Sequence, residues 1–113
     1  HFDTFKNEVI ILQSIEHENI LKFIGCLLDD RLAIVTEWCP GSSLYNHIHV
    51  DFDYSEWKMF EIVDIAKQVA TGMEYLHTKD IIHCDLKSNN IFLVPLYPFT
   101  LDNQGLNLSS NSN

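Results

Sequence analysis

Apolar residues open the chain at three- and four-residue steps: Phe2, Phe5, Val9 and Leu12 fall on one face of a helix. Glu8 lies three residues after Phe5 and four before Leu12, on or beside that face. A carboxylate turned toward a core is costly unless a cation meets it, whereas one at the edge of the stripe reaches water. Both placements satisfy the pattern. His17-Glu18-Asn19 then breaks the period. Two apolar runs, residues 20–25 and 31–36, predict strands, with Asp29-Asp30 as the turn between them. Cys39-Pro40-Gly41-Ser42-Ser43 is a run of breakers and caps. It predicts a connector and then a short helix over residues 44–49, with Ser42 or Ser43 as N-cap.

The longest periodic stretch covers about residues 56–77, where Ile62, Ile65, Ala66, Val69, Met73 and Leu76 keep a helical spacing. Asp53 or Ser55 can cap its start, and Asp53 with Glu56 has capping-box spacing. Trp57 and Phe60 read as core residues of this helix. Gly72 inside it costs roughly 1 kcal/mol against alanine; a close neighbour or chance accounts for it. A short apolar pair, Ile81-Ile82, and a second run, residues 91–93, predict two small strands. The polar loop between them is the usual place for chemistry on a rigid frame. Pro95 and Pro98 interrupt regular structure nearby. Residues 104–113, mostly Asn, Ser, Gly and Leu, are expected to stay outside a core.

Composition narrows the function classes. Of 113 residues, 46% are hydrophobic and 20% charged, as in ordinary globular chains. Seven Lys and Arg face sixteen Asp and Glu, a net charge of -9, which counts against a nucleic-acid partner. Cys26, Cys39 and Cys84 are widely spaced and odd in number, so reduced thiols in the cytoplasm are expected. His47 and His49, two apart on a helix, do not share a face and read as surface residues, not a metal pair. No stretch approaches the ~20 apolar residues of a membrane span. The first residue is His1, and a chain that begins inside a longer protein is expected.

The sharpest chemical signal is His83-x-Asp85-x-Lys87-x-x-Asn90. Asp and Asn favour turns, and alone they need mean no more. Together the residues supply a carboxylate to accept a proton, a cation to offset moving charge and an oxygen for a hard divalent ion. Phosphoryl transfer needs all three. The loop resembles the catalytic loop of protein kinases. Phe5-Lys6-Asn7-Glu8-Val9, Leu32-Ala33-Ile34-Val35-Thr36, Trp38-Cys39 and Gly41-Ser42-Ser43-Leu44-Tyr45 resemble the Raf family. So do Gly72-Met73, Tyr75-Leu76-His77, Ile81-Ile82-His83 and the whole run from Asp85 to Leu93. The resemblance covers residues 2–93 and sits within the tyrosine-kinase-like group, with mixed-lineage kinases as rivals.

That resemblance implies an α+β fold, part of a protein kinase domain over residues 1–93. Residues 1–38 would belong to the small lobe with its regulatory helix, residues 39–93 to the hinge and large lobe, and 94–113 to a divergent, disordered tail. It implies ATP and Mg2+ as cofactors and a protein substrate, with a kinase or scaffold protein as a further partner. Asp85 matches the catalytic base, Lys87 the loop lysine of serine/threonine kinases, and Asn90 a magnesium ligand. Glu8 matches the helix glutamate that pairs with the ATP-binding lysine. Thr36 matches the gatekeeper, although threonine is also simply a good strand residue. The backbones of Glu37 and Cys39 match the adenine-binding hinge groups, and Phe92 the floor of the adenine pocket. Leu12, Phe23 and His83 match an apolar stack that links the lobes.

Three departures qualify the activity. Cys84 stands where the family usually has an arginine that pairs with a phosphorylated activation loop. The glycine-rich loop and the strand lysine fall before His1, and no Asp-Phe-Gly follows Leu93. The expectation is a Raf-like kinase whose 113-residue piece transfers no phosphate alone. The alternative is a pseudokinase or truncated interaction module.

Overall fold

The computed structural model describes residues 1–50 and 57–94, and the backbone of 99–102 and 105–108. The helices are α1 (Phe2–Gln13), α2 (Leu44–His49) and α3 (Met59–Thr78), and a 3-10 turn spans Ser88–Asn90. The strands are β1 (Phe23–Leu27), β2 (Ala33–Thr36), β3 (Phe99–Asp102) and β4 (Gly105–Leu108). Two compact units result: His1–Trp38 with Asp53–Leu86, and Cys39–Phe52 with Lys87–Asn113.

In the first unit, α1 forms where the apolar period predicts it, and Val9 is its buried residue. Glu8, one position away, is exposed. β1 and β2 form the expected antiparallel hairpin, with Phe23 opposite Thr36 and Leu27 opposite Ala33. An irregularity between Phe23 and Gly25 leaves Ile24 outside the register. β1 starts later than its apolar run, and the Ile20 N–H closes a turn on the His17 carbonyl, 3.1 Å away. Glu37 extends the ladder by a clasp. Its N–H donates to the Lys22 carbonyl at 2.9 Å, and its carboxylate accepts the Lys22 N–H at 2.8 Å. A cleft of about 280 Å³ between α1 and the strand region is lined by Phe2, Lys6, Val9, Cys26 and Leu28.

The loop after α1 is fastened to α3. The Glu16 N–H donates to the Tyr75 hydroxyl at 2.9 Å, and Asn19 Nδ2 donates to Gln68 Oε1 at 3.1 Å. Lys79 Nζ donates to the Ser14 carbonyl at 2.5 Å. The His17 and Tyr75 rings lie 4.9 Å apart. Gly72 faces this loop, and a Cβ there would sit 3.2 Å from the Asn19 carbonyl oxygen. A close neighbour, not chance, therefore accounts for the glycine.

α3 begins at Met59, where the Glu61 carboxylate accepts the Lys58 N–H at 2.9 Å. The caps expected at Asp53 and Ser55 lie outside the described residues. Leu76 is buried, 5% exposed, but Phe60 is 67% exposed, and Trp57 is half-buried. The expected core role of Phe60 is thus corrected: its ring faces solvent, with Lys58 Nζ 5.8 Å from the ring centroid. The C-terminus closes with the Ile81 N–H on the Leu76 carbonyl (2.9 Å) and the Asp80 N–H on that of His77 (3.0 Å). This is the Schellman pattern, with Asp80 in the left-handed region at φ 58°. It also corrects the strand expected at Ile81-Ile82. The Ile81 amide is spent on the helix end, and Ile82 is 78% exposed outside any ladder.

In the second unit, α2 has the expected bounds, and Ser43 is its N-cap, accepting the Asn46 N–H at 3.2 Å. Residues 91–93 pair with the turn before α2 instead of forming a longer strand. Ser43 bridges Phe92, flanked by Leu44 N–H to the Ile91 carbonyl (2.7 Å) and Leu93 N–H to the Ser42 carbonyl (3.0 Å). β3 pairs antiparallel with β4 from Phe99–Leu108 inward to Asp102–Gly105.

Candidate active site

The segment that carries the charged residues is short and turns sharply. The Asp85 N–H donates to His83 Nδ1 at 3.1 Å, so that imidazole nitrogen is an acceptor and the ring hydrogen sits on Nε2. Cys84, between them, has φ 68°, a left-handed conformation that cysteine seldom adopts. Its Sγ lies 3.6 Å from the Ile82 carbonyl. Lys87 is extended and precedes the 3-10 turn, which the Asn90 N–H closes on the Lys87 carbonyl at 2.9 Å. Asp85, Lys87 and Asn90 are all exposed. Asp85 belongs to the first unit, and Lys87 and Asn90 to the second.

The other candidate residues divide in the same way. Glu8, Thr36 and Glu37 lie in the first unit, Cys39 and Phe92 in the second. Thr36 ends β2, is exposed, and donates its hydroxyl to the Glu37 carbonyl at 3.2 Å. That carbonyl retains a second lone pair. Cys39 is half-buried, and Phe92 is 44% exposed. Of the apolar stack, Leu12 and Phe23 are half-buried and His83 is exposed. Among the described residues no group of three or more His, Cys, Asp and Glu side chains is arranged to hold a metal ion.

Two residues of this region escaped the sequence reading. His47, expected at the surface, is half-buried, and its Nε2 lies 2.7 Å from the Gly41 carbonyl. Asn46 Nδ2 donates to Ser42 Oγ at 2.9 Å. Asn46 and His47 lie three and four positions after the Gly41-Ser42-Ser43 run, one helical turn past the cap, but no periodicity marks them as bonded to it.

Residues 1–107 match the family model of protein tyrosine and serine/threonine kinases. The match takes in nearly the whole chain, and the chain belongs to that family. Its curated relatives include the RAF proto-oncogene serine/threonine-protein kinase of Xenopus laevis, 58% identical over 89 residues. That alignment covers 79% of this chain and 14% of the relative. The Raf homolog serine/threonine-protein kinase of Caenorhabditis elegans is 56% identical over 90 residues, 80% of this chain and 11% of the relative. The chain thus spans a small fraction of the length of these relatives. The expected α+β arrangement and the Raf-like kinase assignment are both borne out; kinases of this family typically use ATP and Mg2+.

Proposed function

We propose that this chain supplies the catalytic loop and part of the nucleotide site of a Raf-like serine/threonine protein kinase. The reaction is transfer of the γ-phosphoryl group of ATP to a protein hydroxyl. Asp85 orients that hydroxyl and takes its proton. Lys87 offsets charge on the phosphoryl oxygens. Asn90 offers a side-chain carbonyl oxygen, the hard donor that suits Mg2+, and the ion when bound would neutralise charge on the phosphates. The Glu37 carbonyl and the Cys39 N–H hold adenine, Phe92 floors it, and Thr36 stands behind it. Glu8 is the carboxylate that would pair with the phosphate-binding lysine of such a kinase.

The observation that carries this reading is the run from Asp85 to Asn90 in a chain 58% identical over 89 residues to a Raf kinase. The test is a chimaera in which residues 2–93 replace the matching segment of the Xenopus RAF kinase. Mg2+-dependent phosphorylation of a protein substrate supports the reading. A folded chimaera that binds ATP and transfers nothing supports the second reading, a non-catalytic module that docks on a kinase or scaffold protein. Cys84 in place of arginine favours that second reading. A cytoplasmic setting fits the wide spacing and odd number of the cysteines, Cys26, Cys39 and Cys84. Among the described residues no helix is long and apolar enough to cross a membrane.

A further inference from the structure

We infer that Asn46 and His47 are positioning residues, which clip the 41–43 turn to the 91–93 segment and so set the place of Phe92 in the proposed adenine site. The inference rests on the nucleotide-site reading only for what Phe92 touches. The clip itself stands on geometry within the second unit.

Gly41, Ser42 and Ser43 are bonded on two sides. On one side α2 holds them: His47 Nε2 donates to the Gly41 carbonyl (2.7 Å), Asn46 Nδ2 to Ser42 Oγ (2.9 Å), and the Asn46 N–H to Ser43 Oγ (3.2 Å). A carbonyl oxygen only accepts, so Nε2 carries the hydrogen. On the other side the turn holds residues 91–93, through the two backbone bonds that flank the Ser43–Phe92 bridge. The turn does not rest there by itself. Ser42 has φ 57°, a conformation that serine seldom adopts and that persists only where its surroundings impose it.

A single bridge is also a weak device for fixing register, because pairs this short are marginal in water. A slip of one residue would turn Phe92 to the opposite face. The side-chain bonds from Asn46 and His47 remove that freedom by making the turn rigid before residues 91–93 pair with it. An ordinary helix cap would need only Ser43. The two further bonds, to Gly41 and Ser42, do nothing for the N-terminal amides of α2 and act on the turn alone.

The test is amide hydrogen exchange on the 113-residue chain. His47→Phe keeps a ring and removes the donor, His47→Gln restores a donor, and Asn46→Ala removes the second bond. Loss of one such bond is expected to speed exchange at Leu44 and Leu93 about tenfold in His47→Phe and Asn46→Ala, with His47→Gln close to the parent. Unchanged protection of Leu93 in both variants, or loss confined to the Val50 amide at the end of α2, overturns the clip. Affinity of the Raf chimaera, carrying the same substitutions, for a fluorescent ATP analogue separates the two claims. Binding about tenfold weaker in His47→Phe and restored in His47→Gln supports positioning. Equal binding despite lost Leu93 protection overturns the positioning role. A parent chimaera that binds no analogue sinks the nucleotide-site reading, and the exchange result then decides the clip.

Discussion

A methyl group on Gly72 would lie 3.2 Å from the carbonyl oxygen of Asn19. The atom it meets is backbone, and that backbone is held. The Asn19 N–H donates to His17 Nδ1 at 3.0 Å, and its side chain reaches Gln68 on α3. Gly72→Ala therefore gains roughly 1 kcal/mol of helix propensity but must push a fastened turn away, a strain of typically 1–3 kcal/mol. The expected net effect is a loss of about 1 kcal/mol, and Gly72→Val should lose more because of its branched side chain. Urea midpoints of the two variants check both values.

Asp80 offers the opposite sign. It occupies the left-handed position of the Schellman motif that ends α3. Glycine adopts that conformation without a Cβ penalty, and Asp only by tolerance. Asp80→Gly should stabilise the chain by about 0.5–1 kcal/mol. A thermal melt read beside the parent suffices, since a gain of that size moves the midpoint upward by a few degrees, on the order of 4 °C.

Tyr75 joins the loop after α1 to α3 by two contacts that can be separated. Its hydroxyl accepts the Glu16 N–H, and its ring lies against His17. Tyr75→Phe removes the first and keeps the second, so a loss of about 1 kcal/mol is expected. Tyr75→Ala removes both and should cost about 3 kcal/mol or more. Equal losses in the two variants would show that the hydroxyl alone matters.

The described residues bury few apolar side chains, Val9 and Leu76 among them, and leave Trp38, Met59, Phe60 and Ile82 more than half exposed. With this little burial set against the entropy of ordering the chain, stability is marginal. A broad melt below about 45 °C and strong binding of an apolar dye such as anilinonaphthalene sulfonate are expected. A sharp melt above about 60 °C with no dye bound would contradict this.

What the sequence disclosed follows from range. α1, the β1–β2 hairpin, α2 and most of α3 were legible because apolar period and local caps settle them within a few residues. Gly72 was legible as an anomaly but not as a contact, because its neighbour lies more than fifty positions away in the chain. Ile81 misled because an apolar pair looks like a strand, whereas its amide is already committed to the end of α3. Phe60 misled because burial depends on a covering surface that helix periodicity does not supply. The β3–β4 pairing was passed over because it falls in a stretch read as a divergent tail. At the candidate site, the residue types and their order were plain in the sequence. The bonds from Asn46 and His47 to the 41–43 turn were not, since a helix residue that faces back past its own cap leaves no periodic trace.

The central claim is that Asp85 accepts the proton of the attacking hydroxyl, and the direct measurement is the turnover of Asp85→Asn in the Raf chimaera. Proton acceptance by a placed carboxylate contributes about 10²–10⁴-fold, so kcat should fall at least ~100-fold. Affinity for Mg2+-ATP should stay within about threefold, because the group acts on the hydroxyl and not on the nucleotide. A variant that turns over within a few-fold of the parent would contradict the account.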